Sequence, residues 1–577
     1  MRDRAQRAHR GAARVAAPDR RRAERGGGMS DLLAGPVEAA AGLAVYGADA
    51  VDKAAPASTR DALAANDVPG RLARKDPTLW GPDAEAEAKI RLGWVDTHRR
   101  SRELLHQLAE LKAELVDLDH VVLAGMGGSS LAPEVIARTL GKPLTVLDTT
   151  DPGQVRAALA DRLERTVVVV SSKSGSTVET DSHRRAYWQA FLDAGMTEAE
   201  AGRHFVVVTD PGSPLEATAV EMGAVTVLAD PTVGGRYSAL TAFGLVPSAL
   251  AGVEVVELLD QADALAEVLG RDRDNPGLAL GAALGAAATT GRDKIALISD
   301  GTGIDGLGDW AEQLIAESTG KAGVGILPVV VESPQSPGAT GPDVLTVTYG
   351  GALTTGDVPG GGSSPDLAVN GPLGAQFLAW EYATAVAGVV LGIDPFDQPN
   401  VTESKENTEK ILASGPPAET PSFTEGAIEG YAPAGAPGDL AGVLRWLVDG
   451  LGDDGYLAVM AYLDRLADAD AARLRPLLAG ATGRPVTFGW GPRFLHSTGQ
   501  YHKGGPQVGS YLQLTGAVDV DLPVPGRPYT FGELQAAQAA GDRQALAGRQ
   551  RPLLRLHLTD RSAGIVQLLD AVGALRA

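Results

Sequence analysis

Val121-Val122-Leu123-Ala124 runs directly into Gly125-Met126-Gly127-Gly128-Ser129-Ser130, and the pattern returns at Val167-Val168-Val169-Val170 followed by Ser171-Ser172-Lys173-Ser174-Gly175-Ser176-Thr177. Each apolar run has the length and β-branched content of a buried parallel strand, and each turn opens onto a stretch of helical character. Glycines let backbone N–H groups approach an anion closely, hydroxyls add donors, and a helix N-terminus adds a favourable dipole. The two turns lie about 45 residues apart, one strand–helix–strand unit, which brings both to the carboxyl edge of one sheet. A phosphorylated small molecule is the ligand this pairing predicts. Its rival is a dinucleotide, because Gly125-x-Gly127-x-x-Ser130 with Asp148 about 20 residues on approximates that fingerprint. Ser stands there for the third Gly, and the second hydroxyl turn has no part in such recognition. A Walker A loop is excluded, since no Gly-Lys-Ser/Thr follows.

Outward from these turns, strand and helix signals alternate. Residues 121–124, 143–148, 166–171, 205–209 and 225–229 have strand character, with helical stretches such as 131–140 and 177–192 between them. That alternation predicts a doubly wound parallel sheet. A second series begins near Lys294, with strands at 295–299, 325–331 and 344–349, a loop at 350–370, an apolar helix at 375–391 and a motif loop at 394–405. A Pro-, Ala- and Gly-rich crossing at 411–440 leads to further strand character at 456–462, 486–489 and 511–514. The fold class expected is α/β, with two doubly wound parallel-sheet domains behind a helical lead-in. The divisions expected are 1–28 a disordered extension, 29–118 helical, 119–260 the first sheet domain with the phosphate turns, 261–520 the second, and 521–577 a C-terminal tail. The extension carries nine arginines against three acids before Gly26-Gly27-Gly28, which suggests Met29 as the start.

Composition narrows the chemistry. The 577 residues suffice for two or three domains. With no cysteine, disulfides, thiolate metal sites and cysteine nucleophiles are excluded, and 9 His with no H-E-x-x-H spacing leave metal catalysis little to build on. No stretch of 18 uncharged apolar residues occurs. A net charge of −21 argues against nucleic acid or an anionic membrane as partner. A cytoplasmic protein without metal or organic cofactor is expected, and self-association into a homo-oligomer is left open. Lys is used sparingly, 11 of 51 basic residues. Lys173, Lys321, Lys405 and Lys503 all sit beside Gly, Ser or Thr, where a compact ammonium has a use that Arg does not fill.

Taken together, Gly125-Met-Gly-Gly-Ser-Ser-Leu-Ala-Pro133, Ser172-Lys-Ser-Gly-Ser-Thr-Val-Glu-Thr180, Gly234-Gly-Arg-Tyr-Ser238, Glu317-Ser-Thr-Gly-Lys321, Pro395-Phe-Asp-Gln-Pro-Asn-Val-Thr-Glu-Ser-Lys405 and His496-Ser-Thr-Gly-Gln500 resemble the glucose-6-phosphate isomerase family. The resemblance spans about residues 80–520 and implies two sugar-isomerase (SIS) domains, each a flavodoxin-like parallel sheet. One departure stands out: in the usual family order the His block precedes the Phe-Asp-Gln block, whereas here it follows by about 90 residues. That order is similar to the isomerase half of fused transaldolase–glucose-6-phosphate isomerase chains of actinobacteria.

The activity implied is reversible conversion of glucose 6-phosphate and fructose 6-phosphate through a cis-enediol, a step of glycolysis and gluconeogenesis. The resemblance implies Glu317 as the base at C1 and C2, Arg236 as the stabiliser of the enediolate, and His496 with Lys405 as the ring-opening groups. His502 is a competitor for the histidine role. Gly128, Ser129, Ser172, Lys173, Ser174, Thr177, Gly235 and Gln398 are implied as substrate-binding. A dual phosphoglucose/phosphomannose isomerase and a SIS-domain sugar-phosphate sensor without turnover remain as rivals.

Overall fold

The computed structural model describes residues 37–55, 57–352, 365–415 and 419–576; the extension expected at 1–28 and Met29 lie outside them. Three sheets organise the described chain. The first holds five parallel strands in the spatial order Thr145–Leu147, His120–Gly125, Thr166–Ser171, Phe205–Thr209, Val225–Leu228. The strands at the centre are buried along their whole length, Val167 to Val170 completely so, as parallel strands covered on both faces must be.

The second sheet orders its parallel strands Leu367–Asn370, Val344–Gly350, Lys294–Ser299, Leu327–Val330, and carries an antiparallel hairpin, Val37–Ala40 and Leu43–Tyr46, on the Leu367–Asn370 edge. Two features differ from expectation. The segment 29–118 is not helical throughout, because its start supplies that hairpin. The stretch 350–370 is not all loop, because Leu367–Asn370 closes the sheet beside Val344–Gly350. Behind this sheet the apolar helices Pro276–Thr289 and Leu373–Leu391 pack along each other. Gly281 and Gly285 permit the contact, since a Cβ on either would strike Val386 or Val390.

The third sheet is the main correction to the expected division. Its parallel strands run Leu553–Leu558, Gly509–Gly516, Tyr456–Tyr462, Val486–Trp490, with an antiparallel hairpin, Phe423–Glu425 and Ile428–Tyr431, on the Leu553–Leu558 edge. In chain order this repeats the second sheet strand for strand: a hairpin, then four parallel strands ordered fourth, third, first, second. Residues 261–520 are therefore not one domain, and 521–577 is not a tail. Leu553–Leu558 is an interior strand whose Leu554, Leu556 and Leu558 are fully buried, and the helix Phe531–Ala547 packs on its sheet.

The loops at the carboxyl ends of the third sheet's strands dock on the first. After Val486–Trp490, the buried Arg493 donates through Nη1 to Glu134 (2.6 Å) and Asp148 (2.7 Å). After Leu553–Leu558, Arg561 reaches Asp151 at 2.7 Å, and after Tyr456–Tyr462, Arg465 reaches Glu134 at 3.0 Å. Burial alone would raise the Glu134 carboxyl, but Arg493 and Arg465 override it and hold it down at about 2.

Arg493→Met would leave Glu134 and Asp148 without this shared cation. Loss of one partner from a buried pair predicts destabilisation of about 3–5 kcal/mol, read as a lowered urea or thermal midpoint. A depressed carboxylate stabilises the fold above its ordinary value of 4.5 and ceases to as it protonates. Docking in the unmodified protein should therefore hold at pH 5 and weaken as pH falls from about 4.5 towards 2.

Candidate active site

The site forms where the first sheet's carboxyl edge meets the helix Leu307–Thr319 and the 493–500 segment of the third unit. Gly127 has φ +55°, and a Cβ there would meet Gln313 and the His496 backbone. Gly128 lies so close to the Gly235 carbonyl that no side chain fits between them, and the Ser238 hydroxyl donates to the Gly128 carbonyl at 3.3 Å. The Gly-Gly-Ser turn, the Gly-Gly-Arg-Tyr-Ser turn, the helix and His496 are thus in mutual contact, although they come from distant parts of the chain.

Glu317, near the end of the helix Leu307–Thr319, is the focus. Its Oε1 pairs with Arg236 at 3.1 Å, and its Oε2 accepts from Gln313 Nε2 at 3.1 Å. Gln313 also donates to the His496 backbone carbonyl at 2.7 Å. Four guanidinium N–H groups of Arg236 are hydrogen-bonded, to Ser318 Oγ at 3.0 Å, Gln398 Oε1 at 2.7 Å and the carbonyls of Pro395 and Asp397 at 3.0 Å each, and Nη1 also forms the ion pair with Glu317. Because Gln398 gives its Oε1 to Arg236, what it can offer a substrate is its amide N–H pair. Lys321 fastens the same turn through the Asp394 and Asp397 carbonyls and the Asp397 carboxylate, and burial lowers its ammonium to about 8. Gln500 stitches the blocks together, donating to Gly320 O at 2.9 Å and Asn400 Oδ1 at 2.8 Å.

His496 comes close to Glu179, with Nε2 and Oε1 3.0 Å apart. Glu179 is fully buried. Burial would raise its carboxyl, but the charge and hydrogen bond of His496 outweigh this and hold it down at about 2, with Lys405 adding to the effect. Lys405 sits on the helix Val401–Ser414 rather than in a loop, exposed and within electrostatic reach of Glu179. His502 is elsewhere. It lies buried among Tyr456, Phe494 and Tyr511 with neither ring nitrogen bonded, and burial pushes it well below its ordinary value. It is a neutral core residue.

The second hydroxyl turn is preformed. Ser172 and Thr177 hydroxyls lie 2.9 Å apart, Gly175 N donates to Ser172 Oγ at 3.2 Å, and Ser174 meets Ser176 at 3.0 Å. Thr177 caps the helix Val178–Asp193 without using its side chain, so that helix's first N–H groups have no side-chain cap. Lys173 pairs with Asp210 at 2.5 Å, so its backbone N–H, not a free ammonium, is its contribution to the turn. Ser129 lies on the one-turn helix Gly127–Ser129 of the first turn. Asp148, which the dinucleotide reading needs for a ribose, is 1 % exposed and bound by Arg493 and Ser130, so that reading has lost its acidic residue.

Glu179 and Gln313 were not singled out by sequence reasoning. Glu179 falls inside a quoted block, but its role depends on a histidine more than 300 positions away. Gln313 had a local signal, since it stands four residues before Glu317 and shares its helical face. Among the described residues, no cluster of three or more His, Asp or Glu is placed to hold a metal ion. Among the same residues no helix is long and apolar enough to cross a membrane. A separate cavity of about 520 Å³ borders the 493–497 segment, lined among others by Asp309, Glu312, Arg465 and Arg475.

The chain is similar to known proteins in sequence and fold. The family model for phosphoglucose isomerase matches residues 110–281. A glucose-6-phosphate isomerase from Rubrobacter xylanophilus is 31% identical over 380 residues, 54% of this chain and 86% of that protein. The chain belongs to the phosphoglucose isomerase family. A glucose-6-phosphate isomerase from Thermosynechococcus vestitus is 33% identical over 264 residues, 43% of this chain and 48% of that one. The chain spans about half the length of several of the curated relatives it matches. The crystal structure of a glucose-6-phosphate isomerase from Chlamydia trachomatis has the same fold at a TM-score of 0.51, with 19% identity, covering 67% of this chain and 91% of that one. The sheets of parallel strands are consistent with the two sugar-isomerase domains expected of the family.

Gly128→Ala should destabilise the protein by about 1–3 kcal/mol, because its Cβ would have to displace the Gly235 backbone. Gly234→Ala, at φ −68° with only Arg91 Cδ at 4.0 Å, is the control and should stay within about 0.5 kcal/mol in the same thermal melts.

Proposed function

We propose that the protein is a glucose-6-phosphate isomerase that interconverts glucose 6-phosphate and fructose 6-phosphate, without metal or organic cofactor. One observation supports this most directly. Glu317 is a carboxylate held at both oxygens, by Arg236 and Gln313, beside His496 and the first glycine turn. Moving a proton between C2 and C1 needs one base fixed over both carbons.

The 172–177 turn takes the phosphate, with the Ser172, Ser174 and Thr177 hydroxyls and backbone N–H groups as donors. Ser129, Gly128 and Gly235 line the approach, and at Gly128 only glycine fits. Ring opening takes a proton from the anomeric hydroxyl, breaks the bond from C1 to the ring oxygen and gives that oxygen a proton. His496 and Lys405 carry these transfers, with the ionised Glu179 steadying His496 whenever its ring holds a second proton. In the open chain, Glu317 removes the C2 proton and the electrons move to the C1 carbonyl oxygen, giving the enediolate. Return of the proton to C1, with the O2 proton passing to O1, gives the ketose.

Arg236 has a part in this that follows from its ion pair with Glu317. While Glu317 is ionised, Arg236 Nη1 pairs with it at 3.1 Å. Once Glu317 takes the proton its charge is gone, and the guanidinium is freed to favour the new negative charge on the substrate oxygen. The positive group faces whichever partner holds the negative charge.

Glu317→Gln keeps the size and the Gln313 contact but cannot accept a proton. Turnover should fall by about three decades or more with substrate still bound, and retention of a tenth of normal turnover would remove Glu317 as base. The histidines separate cleanly. His496→Ala should cripple turnover of the cyclic sugar while largely sparing proton exchange in an open-chain substrate. His502→Ala should lower the melting temperature and leave kcat near normal, and the reverse pattern would overturn both assignments.

A further inference from the structure

Glu179 Oε1 accepts two hydrogen bonds, and only one comes from His496. The other comes from Gln538 Nε2 at 2.6 Å, on the helix Phe531–Ala547 of the third unit. Gln538 is held in turn by the first unit, because the Thr150 hydroxyl donates to its Oε1 at 2.8 Å. Gln538, Glu179 and Thr150 are 3 %, 3 % and 0 % exposed, so water competes for none of these bonds. The amide can sit only one way round. An ionised carboxylate is purely an acceptor, so the NH2 must face Glu179, and Thr150 then secures the carbonyl side.

We propose that Gln538 is a positioning residue of this site, fixing the Glu179 carboxylate so that it holds His496 Nε2 and leaves Nδ1 turned to the substrate. The inference rests on the ring-opening role given to His496 above. Its physical content is the sharing of one oxygen between two donors. With Gln538 in place, Oε1 is tied at a fixed angle and part of its charge is already engaged, so His496 meets a directed and moderated acceptor. Without it, the carboxylate can rotate, and the imidazole becomes the main donor to Oε1. The other charged groups around His496 are Lys405 on the helix Val401–Ser414, Glu312 and Glu317 on the helix Leu307–Thr319, and Arg493 on its own turn. Arg493 is consumed by Glu134 and Asp148, and Glu317 by Arg236. The Thr150–Gln538–Glu179 chain crosses from the first unit to the third and back. The unit that brings in His496 therefore also brings the group that aims its partner.

The test uses the full chain with Gln538→Met, which keeps length and apolar volume and removes the donor. Turnover should fall about tenfold or more while KM stays within about twofold, because the 172–177 turn is untouched. The acid limb of the kcat/KM profile should move to higher pH, since an imidazole no longer sharing Oε1 keeps its proton more firmly. Without substrate, the 15N signals of the His496 ring should lose the pure Nε2–H pattern. Thr150→Val should shift the same three readouts the same way but less, and the double variant should fall short of the sum. Should Gln538→Met fold poorly, Thr150→Val alone decides. Unchanged 15N signals and an unmoved acid limb in a folded variant would overturn the proposal, even if stability fell. The 15N comparison needs no turnover, so it is independent of whether His496→Ala abolishes activity.

Discussion

The buried ion cluster of Arg493 with Glu134 and Asp148 is the contact on which the site depends. Arg493 stands three residues before His496, in the loop after a strand of the third sheet, and both carboxylates belong to the first unit. Two buried anions without a cation would be costly, and so would a buried guanidinium without anions. The cluster therefore admits one seating of the loop, and that seating delivers the His496 imidazole to Glu179 and its carbonyl to Gln313.

The topology explains why this arrangement is available. In open α/β sheets, functional groups gather at the carboxyl ends of the strands. The third sheet follows the same strand order as the second, so it has such an edge of its own. Loops of that edge are turned against the first unit and filled by Arg465, Arg493 and Arg561 with their acidic partners. It completes a neighbouring site. This gives a physical account of the reversed motif order, because the His block can follow the Phe-Asp-Gln block in sequence when a separate sheet carries it back into contact. Gln500 secures the result by bonding to Gly320 and Asn400, one in each of the other two blocks.

Legibility in the sequence followed the range of the interactions. The first sheet was readable because Val167 to Val170 and their neighbours form solid apolar runs, and the glycine and hydroxyl turns after them are local features. The hairpin at 37–46 was not, because it is short and Ala-rich and gains its partner only at Leu367–Asn370, far along the chain. The strand Leu553–Leu558 alternates Leu with Arg555 and His557, a pattern easily lost beside a Gly- and Arg-rich stretch, so sequence alone leaves it in the tail. In the site, the motif residues Glu317, Arg236, Gln398, His496 and Lys405 could be named from their blocks. What could not be named was how they restrain each other. Arg236 held by five partners, Lys173 paired with Asp210, and Glu179 shared between His496 and Gln538 all depend on side chains from distant segments meeting in space.

The central claim is that one substrate bridges the 172–177 turn of the first unit and Glu317 of the second, with His496 of the third beside it. A crystal structure with a phosphorylated sugar acid, an analogue of the enediolate, tests this most directly. The account predicts the phosphate on Ser172, Ser174 and Thr177, the carboxylate end against Glu317 and Arg236, and His496 still bonded to Glu179. A phosphate bound instead in the cavity lined by Arg465 and Arg475, with the 172–177 turn unoccupied, would contradict it.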